Sequence, residues 1–281
     1  LRPAAPLAEL TRVVQAALAE DLGDRGDVTT EAIVPAGTPL QAVIRSREPG
    51  RIAGSDAIPL VLAQFSEAAT GSIAAPDGSD VTAGDVVATL SGSARTLLTG
   101  ERVMLNLLGR LSGIATATAA VVRAVEGTGA AIKDTRKTTA GLRALEKYAV
   151  AVGGGVNHRF GLYDAVLIKD NHIGVAGSIA GAIDRVRARW GEDFPVQVEV
   201  DTLEQLEQAL NCEVEAVLLD NMAPDQLCRA VAIAHGRCHL EASGGVTLAN
   251  VRAIAETGVD SISLGWLTHS ARSLDLGLDV A

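Results

Sequence analysis

Ala130-Ala131-Ile132-Lys133-Asp134-Thr135-Arg136-Lys137-Thr138 passes from a short apolar run straight into a cluster of charges. That is the pattern of a buried strand emerging at a polar mouth. Between Lys133 and Lys169 the chain carries seven basic residues against three acidic ones, inside a protein of formal net charge −10. A solvated face is the ordinary reading of such a run. Here the cations fall at strand ends and beside Gly153-Gly154-Gly155, which points to a small polyanionic ligand.

Working outward, the pattern repeats. Short apolar segments at 130–133, 164–169, 195–200, 216–219, 238–242 and 261–264 are each followed by polar residues, and most are separated by a helical stretch. Six βα-type repeats describe a parallel sheet, either doubly wound or closed as a barrel. No G-x-G-x-x-G follows the first strand, so a dinucleotide site is not indicated. Barrel sites are built at the C-terminal strand ends. There the chain offers Lys133 to Lys137, Lys169-Asp170-Asn171-His172, Glu199-Val200-Asp201, Asp220-Asn221, Glu241 to Gly245, and Gly265. Asp134, Asp170 and Asp201 read as strand-end caps. Glu199 and Asp220 suit ribose hydroxyls or Mg²⁺, a hard cation that takes a few carboxylates plus substrate oxygens, or simply neutralise Lys137 and Lys169. Ser243-Gly244-Gly245 and Leu264-Gly265 present backbone N–H groups to a phosphate. The glycine turn at 153–155 brings His158 and Arg159 to the mouth, where Arg159 and Arg136 form two forks suited to carboxylates.

Before this region, apolar spacing predicts a helix over 7–20, strands near 40–47 and 51–53, and a helix over 55–65 with Ser55 as N-cap. Asp80 to Gly92 alternates like a carrier domain but lacks the lysine such a domain modifies, which leaves a structural sandwich. The longest helical pattern runs from about Thr99 to Val125, interrupted at most by Gly109 and Gly113, and is apolar around most of its circumference. Arg102 falls in its first turn, where the helix dipole disfavours a cation.

Seven aromatics and a negative charge argue against nucleic acid. Cys212, Cys228 and Cys238 form neither C-x-x-C nor an even framework, and with His235 and His239 they match no zinc spacing. A reduced, cytoplasmic setting is expected, with no membrane, since no apolar run of about 18 residues is evident.

Glu20-Asp21-Leu22-Gly23-Asp24, Asp27-Val28-Thr29-Thr30, Glu101-Arg102, Leu111 to Thr116, Asp134-Thr135-Arg136-Lys137-Thr138, Gly154 to Arg159, Leu167 to His172, Glu199-Val200-Asp201, Leu219-Asp220-Asn221 and Ala242 to Gly245 together resemble the quinolinate phosphoribosyltransferase family, in order and over nearly the whole chain. The resemblance implies an N-terminal α/β sandwich domain (1–112, joined by the tail 270–281) plus an incomplete, seven-stranded α/β barrel (113–269). It implies a homodimer that transfers phosphoribosyl from phosphoribosyl pyrophosphate to quinolinate with decarboxylation, in NAD biosynthesis. Quinolinate would meet Arg136, His158, Arg159 and Lys169, with Arg102 from the other subunit. Phosphoribosyl pyrophosphate and Mg²⁺ would meet Thr135, Lys137, Glu199, Asp220, Ser243, Gly244, Gly245, Leu264, Gly265 and His269. Lys137, Lys169, Glu199 and Asp220 are the expected catalytic set, with Glu199 and Asp220 towards the metal. Ala140 stands where the family commonly has proline, and Trp266 where it usually has a small residue. Two rivals are a related phosphoribosyltransferase for another aromatic acid and a non-catalytic phosphosugar-binding barrel.

Overall fold

The computed structural model describes residues 3–191 and 193–280. In chain order the first half runs α1 (Leu7–Leu22), α2 (Val28–Ile33), β1 (Pro39–Ser46), β2 (Gly50–Arg51), α3 (Ala57–Leu62), β3 (Ala69–Ile73), β4 (Asp80–Val81), β5 (Val86–Ser93) and α4 (Ala94–Ala124). The rest alternates: β6 (Ala131–Lys133), α5 (Arg143–Val152), β7 (Val166–Ile168), α6 (Asp170–Ala176), α7 (Ile179–Trp190), β8 (Val196–Val200), α8 (Leu203–Leu210), β9 (Ala216–Asp220), α9 (Pro224–Ala234), β10 (His239–Ser243), α10 (Val251–Ala255), β11 (Ser261–Ser263), α11 (Trp266–His269) and β12 (Leu276–Val280).

Two compact units result. The first gathers the described parts of Leu1–Ala119, Thr138–Gly154 and Leu267–Ala281, and the second holds Ala120–Lys137 and Gly155–Trp266. In the first, an antiparallel sheet runs β12-β1-β5-β3. Alternation puts Ala42 and Ile44 of β1 fully out of solvent, and α3 packs Ile58 and Val61. Each buried isoleucine or valine among them contributes about 1.5–3 kcal/mol by leaving water. Ser55 does not cap α3. The helix begins at Ala57 with no side-chain cap, and the Ser55 and Gly54 amides instead donate to Asp77 at 2.8 and 2.7 Å.

Helix α4 starts directly from β5 and continues unbroken through both expected interruptions. Gly109 and Gly113 are contact residues: a Cβ on Gly113 would collide with the Arg272 carbonyl oxygen, and one on Gly109 would lie 3.0 Å from that of Leu274. The C-terminal tail runs along the helix at these positions, with Leu274 N–H donating to Gly109 O at 2.9 Å. Contrary to the expectation from apolar runs, α4 is long and apolar enough to cross a membrane, but 67% of its apolar window is buried within the protein, as in a core helix.

The second unit is built on a parallel six-stranded sheet, β6-β11-β10-β9-β8-β7. A single further parallel bridge pairs Val156 with Lys133 on the outer side of β6, so the seventh strand of the expected count amounts to one residue. One set of alternate positions is apolar and buried: Ile132, Ile168, Val198, Val217, Leu219, Leu240 and Ile262 are each at most 3% exposed. The other set is polar, with Lys133, Gln197, Glu199, Asp220, His239, Glu241, Ser243 and Ser261 on one face by the strand registers. That polar face is concave. Five strand spacings separate the Val156 segment from β8, which in a flat sheet would be about 24 Å. His158 Nε2 nevertheless lies 3.1 Å from Gln197 Oε1, so the sheet is rolled until the segment beside one margin reaches β8 across a polar interior.

Candidate active site

Thr135 opens the mouth: its Oγ1 accepts the Lys137 N–H at 3.0 Å, a tight local turn that carries Arg136 and Lys137 past the end of β6. Beside it, Asp134 is fully buried and structural, accepting the His158 N–H at 2.8 Å and the Asn157 amide at 2.6 Å. Gly154 (φ 93°) supplies the reversal that lets the chain reach that anchor. The loop 157–159 is thereby fastened next to 135–137.

Arg136 and Arg159 carry the strongest signal. The Nε of each is buried without a hydrogen-bond acceptor. Burial, and then the neighbouring charge of Arg136, pull the Arg159 guanidinium below its ordinary pKa against the opposing pull of Asp164. Two guanidinium groups close enough to repel each other, with donors left over, define an anion site. One Arg159 Nη is tied to the Ala165 carbonyl at 3.1 Å, which aims the fork. His158 is turned differently: Nδ1 accepts the Arg159 N–H at 2.8 Å, while Nε2 faces Gln197 Oε1 and, at 3.5 Å, Glu241 Oε1. A direct bond from His158 to a ligand would replace one of these.

At the neighbouring strand ends Lys169 is ion-paired with Glu199, and Asp220 accepts the Asn221 side-chain amide at 2.7 Å. Glu199 and Asp220 extend from adjacent strands on the same face. Among the described residues no group of three or more His, Cys, Asp or Glu could hold a metal ion, so this pair fits only a cation that brings most of its oxygens with its ligand.

The turn after β10 is held from behind. Asn221 N–H donates to Ser243 O at 2.8 Å, the Asn250 side chain to Gly245 O at 3.1 Å, and the Trp266 indole to Val246 O at 2.9 Å. The Gly244, Gly245 and Val246 amides meet no acceptor among the described residues. With φ of 91° and 61° at the two glycines, these N–H groups form an anion-binding concavity. A Cβ on Gly244 would strike the Asn221 side chain, so glycine is required there. Leu264 is buried and its N–H is taken by Lys133 O at 3.0 Å, whereas Gly265 is partly exposed.

Two expected site residues belong to the first unit. His269 is exposed, with Nδ1 2.6 Å from Ser270 Oγ. Arg102 is exposed on α4 and, because the helix begins at Ala94, lies more than two turns inside it. The dipole argument for Arg102 therefore falls. Its nearest acid is Glu101 at 3.9 Å.

The reading of the residues passed over an interior network beneath the mouth. Glu241, fully buried, accepts from Lys133 at 2.9 Å and Gln197 at 3.2 Å. Burial alone would raise its pKa, but His158 and Lys133 outweigh that and hold the carboxyl below its ordinary value. His239, 2.7 Å from Ser261 Oγ, has its pKa lowered by burial and then by Lys133. The available signal was a polar residue at every second position in β8 and β10.

A rolled parallel sheet with a doubly cationic pocket, a carboxylate pair and an amide concavity at one set of strand ends defines an α/β protein with a polyanion-binding site of the barrel type. Residues 27–112 and 114–279 match the models for the quinolinate phosphoribosyl transferase N-terminal and C-terminal domains. The chain is 50% identical to the nicotinate-nucleotide pyrophosphorylase [carboxylating] of Mycobacterium leprae, covering 95% of both chains, and 43% identical to the probable enzyme of that name from Bacillus subtilis, covering 97% of this chain and 93% of the other. The solved nicotinate-nucleotide pyrophosphorylase of Francisella tularensis superposes with a TM-score of 0.94 at 38% identity, over 99% of this chain and 98% of that one. The chain belongs to the quinolinate phosphoribosyltransferase family and is a phosphoribosyltransferase enzyme.

Proposed function

We propose that this protein transfers phosphoribosyl from phosphoribosyl pyrophosphate to quinolinate with loss of CO₂, giving nicotinate mononucleotide and pyrophosphate for NAD biosynthesis. The observation that carries the site assignment is the crowded pair Arg136 and Arg159 with unused buried donors. One carboxylate cannot use both forks, whereas adjacent carboxylates on a pyridine ring can. Lys169 adds a cation on the same side, held in place by Glu199. His158 orients Arg159 through its ring and backbone.

In this proposal the 5′-phosphate takes the amides of Gly244 to Val246 together with Gly265 and His269, and Thr135 with Lys137 holds the pyrophosphate. Glu199 and Asp220 position the ribose as positive charge develops at C1. Glu199 and Asp220 would hold Mg²⁺, which when bound would supply charge neutralisation for the departing pyrophosphate. The C1–oxygen bond breaks with its electron pair leaving on pyrophosphate, and the pyridine nitrogen lone pair forms the new bond to C1. The cationic ring then accepts the electron pair released as the C2 carboxylate departs as CO₂. A proton delivered to C2, from Lys137 or water, completes nicotinate mononucleotide. The active form is a homodimer in which Arg102 of a second copy reaches the quinolinate pocket. A cytoplasmic setting accords with three free cysteines.

The test mixes purified protein, quinolinate, phosphoribosyl pyrophosphate and Mg²⁺ and follows CO₂ and pyrophosphate together. Release of both in equal amounts is expected, with nicotinate turned over far more slowly. Comparable kcat/KM for the two acids would overturn the assignment of the paired forks.

A further inference from the structure

We infer that Trp266 is a positioning residue for the sugar-phosphate end of the site, fastening the Gly244–Val246 turn from the end of the neighbouring strand. This rests on reading that turn as the phosphate site. Two successive glycines at positive φ give it much conformational freedom to lose on ordering. An amide concavity binds well only if its N–H groups already converge. The three carbonyls of the turn are each held by a donor from a different place. Asn221 follows β9, Asn250 opens α10, and Trp266 follows β11.

The Trp266 bond differs from the other two in its target. Val246 is buried, so its carbonyl has little water to turn to if the indole is lost. The indole N–H, on the residue after Gly265, bridges two of the strand ends assigned to the phosphate, so Gly244-Gly245 and Gly265 are held in one spacing. Because the half-buried indole is bonded to the turn itself, its emission should respond when the turn is occupied.

Trp190, half-exposed on α7 against Arg189 and Phe194, is the only other tryptophan. The test uses the Trp190→Phe protein, in which Trp266 alone emits, titrated with ribose 5-phosphate and separately with quinolinate. Emission should shift saturably with ribose 5-phosphate and stay unchanged with quinolinate. Steady-state kinetics compare Trp266→Phe, which keeps a ring but loses the N–H, with wild type. A roughly tenfold rise in KM for phosphoribosyl pyrophosphate is expected, as for one hydrogen bond of about 1.4 kcal/mol. The KM for quinolinate should hold, and the melting temperature should fall by only a few degrees, as for one buried carbonyl left without its donor. Unchanged emission on saturation with ribose 5-phosphate, or a Trp266→Phe enzyme with wild-type KM, overturns the inference. An enzyme that binds ribose 5-phosphate through Trp266 but forms no nicotinate mononucleotide overturns the proposed reaction and leaves the inference standing. A Trp266→Phe protein that loses kcat and stability together, with both KM values unchanged, assigns the residue to packing alone and overturns it as well.

Discussion

Replacing Glu241 by glutamine changes one atom and should cost more than almost any other isosteric substitution in the second unit. The carboxylate is fully buried, and Oε2 accepts from both Lys133 and Gln197. Those two donors fix the glutamine oxygen at the Oε2 position, which sends the new NH₂ group to the Oε1 side. There it faces His158 Nε2, which must carry a proton because Nδ1 accepts the Arg159 N–H. Two donors then oppose each other, and Lys133, only 19% exposed, keeps its charge without a counter-charge. Breaking a buried pair in this way costs about 3–5 kcal/mol, or about 6–20 °C in Tm at 2–4 °C per kcal/mol. Replacing both partners, as Lys133→Met with Glu241→Gln, removes the stranded charge and should recover at least half of the loss. Both tryptophans lie in the second unit, so urea unfolding followed by tryptophan emission reads the affected unit directly. Losses below about 1 kcal/mol for Glu241→Gln, or a double variant whose loss is the sum of the singles, would refute the buried-pair account.

Glu199→Gln and Asp220→Asn should lower kcat by roughly 10²–10³ with small changes in Tm, since the mouth is open to water around Lys169; a large drop in Tm with near-normal kcat would return the two carboxylates to simple charge balance. Arg102→Ala should raise the KM for quinolinate and leave that for phosphoribosyl pyrophosphate nearly intact; mixed dimers with Lys169→Ala subunits should regain activity, and failure to do so would place the arginine's action within its own chain. His239 keeps a lowered pKa in the fold, so as pH falls below 6.5 the unfolded chain takes up a proton that the folded one refuses. Stability should therefore decline with acidification in that window and decline again below about 4.5, where Glu241 must accept a proton below its ordinary value; a His239→Gln protein with the same dependence of Tm on pH between 6.5 and 5 would contradict the first part.

The strands of the second unit were legible because each is a few apolar residues between charges, and the forks at Arg136 and Arg159 because cations accumulate where strands end. Two features were hidden for physical reasons. Gly109 and Gly113 read as breaks in a helix, since a sequence cannot show that the missing Cβ makes room for the tail 272–274. Arg102 seemed to begin its helix because Ala94 to Leu98 follows β5 with no turn residue to mark the start. The interior network was harder still. Lys133, Gln197, His239 and Glu241 alternate with apolar residues just as on a half-solvated strand, and only the rolling of the sheet turns their face from water towards itself. The amide concavity was visible as a Ser-Gly-Gly turn, but its three anchors come from 22 residues upstream to 20 downstream and no local pattern joins them.

The first unit takes its edge strand, β12, from residues 276–280, paired to β1 230 to 238 residues earlier. On a ribosome the first sheet therefore cannot be completed in the order in which its strands are made. The β1-β5-β3 face must wait, one margin unpaired and the Gly109–Gly113 groove uncovered, until the whole second unit has emerged. An unpaired margin invites pairing with another chain, so the interval before β12 arrives is the period of greatest exposure to misassembly. Slow codons between residues 267 and 276 would lengthen it, and yield of native protein should fall there sooner than for equal changes among the strands of the second unit.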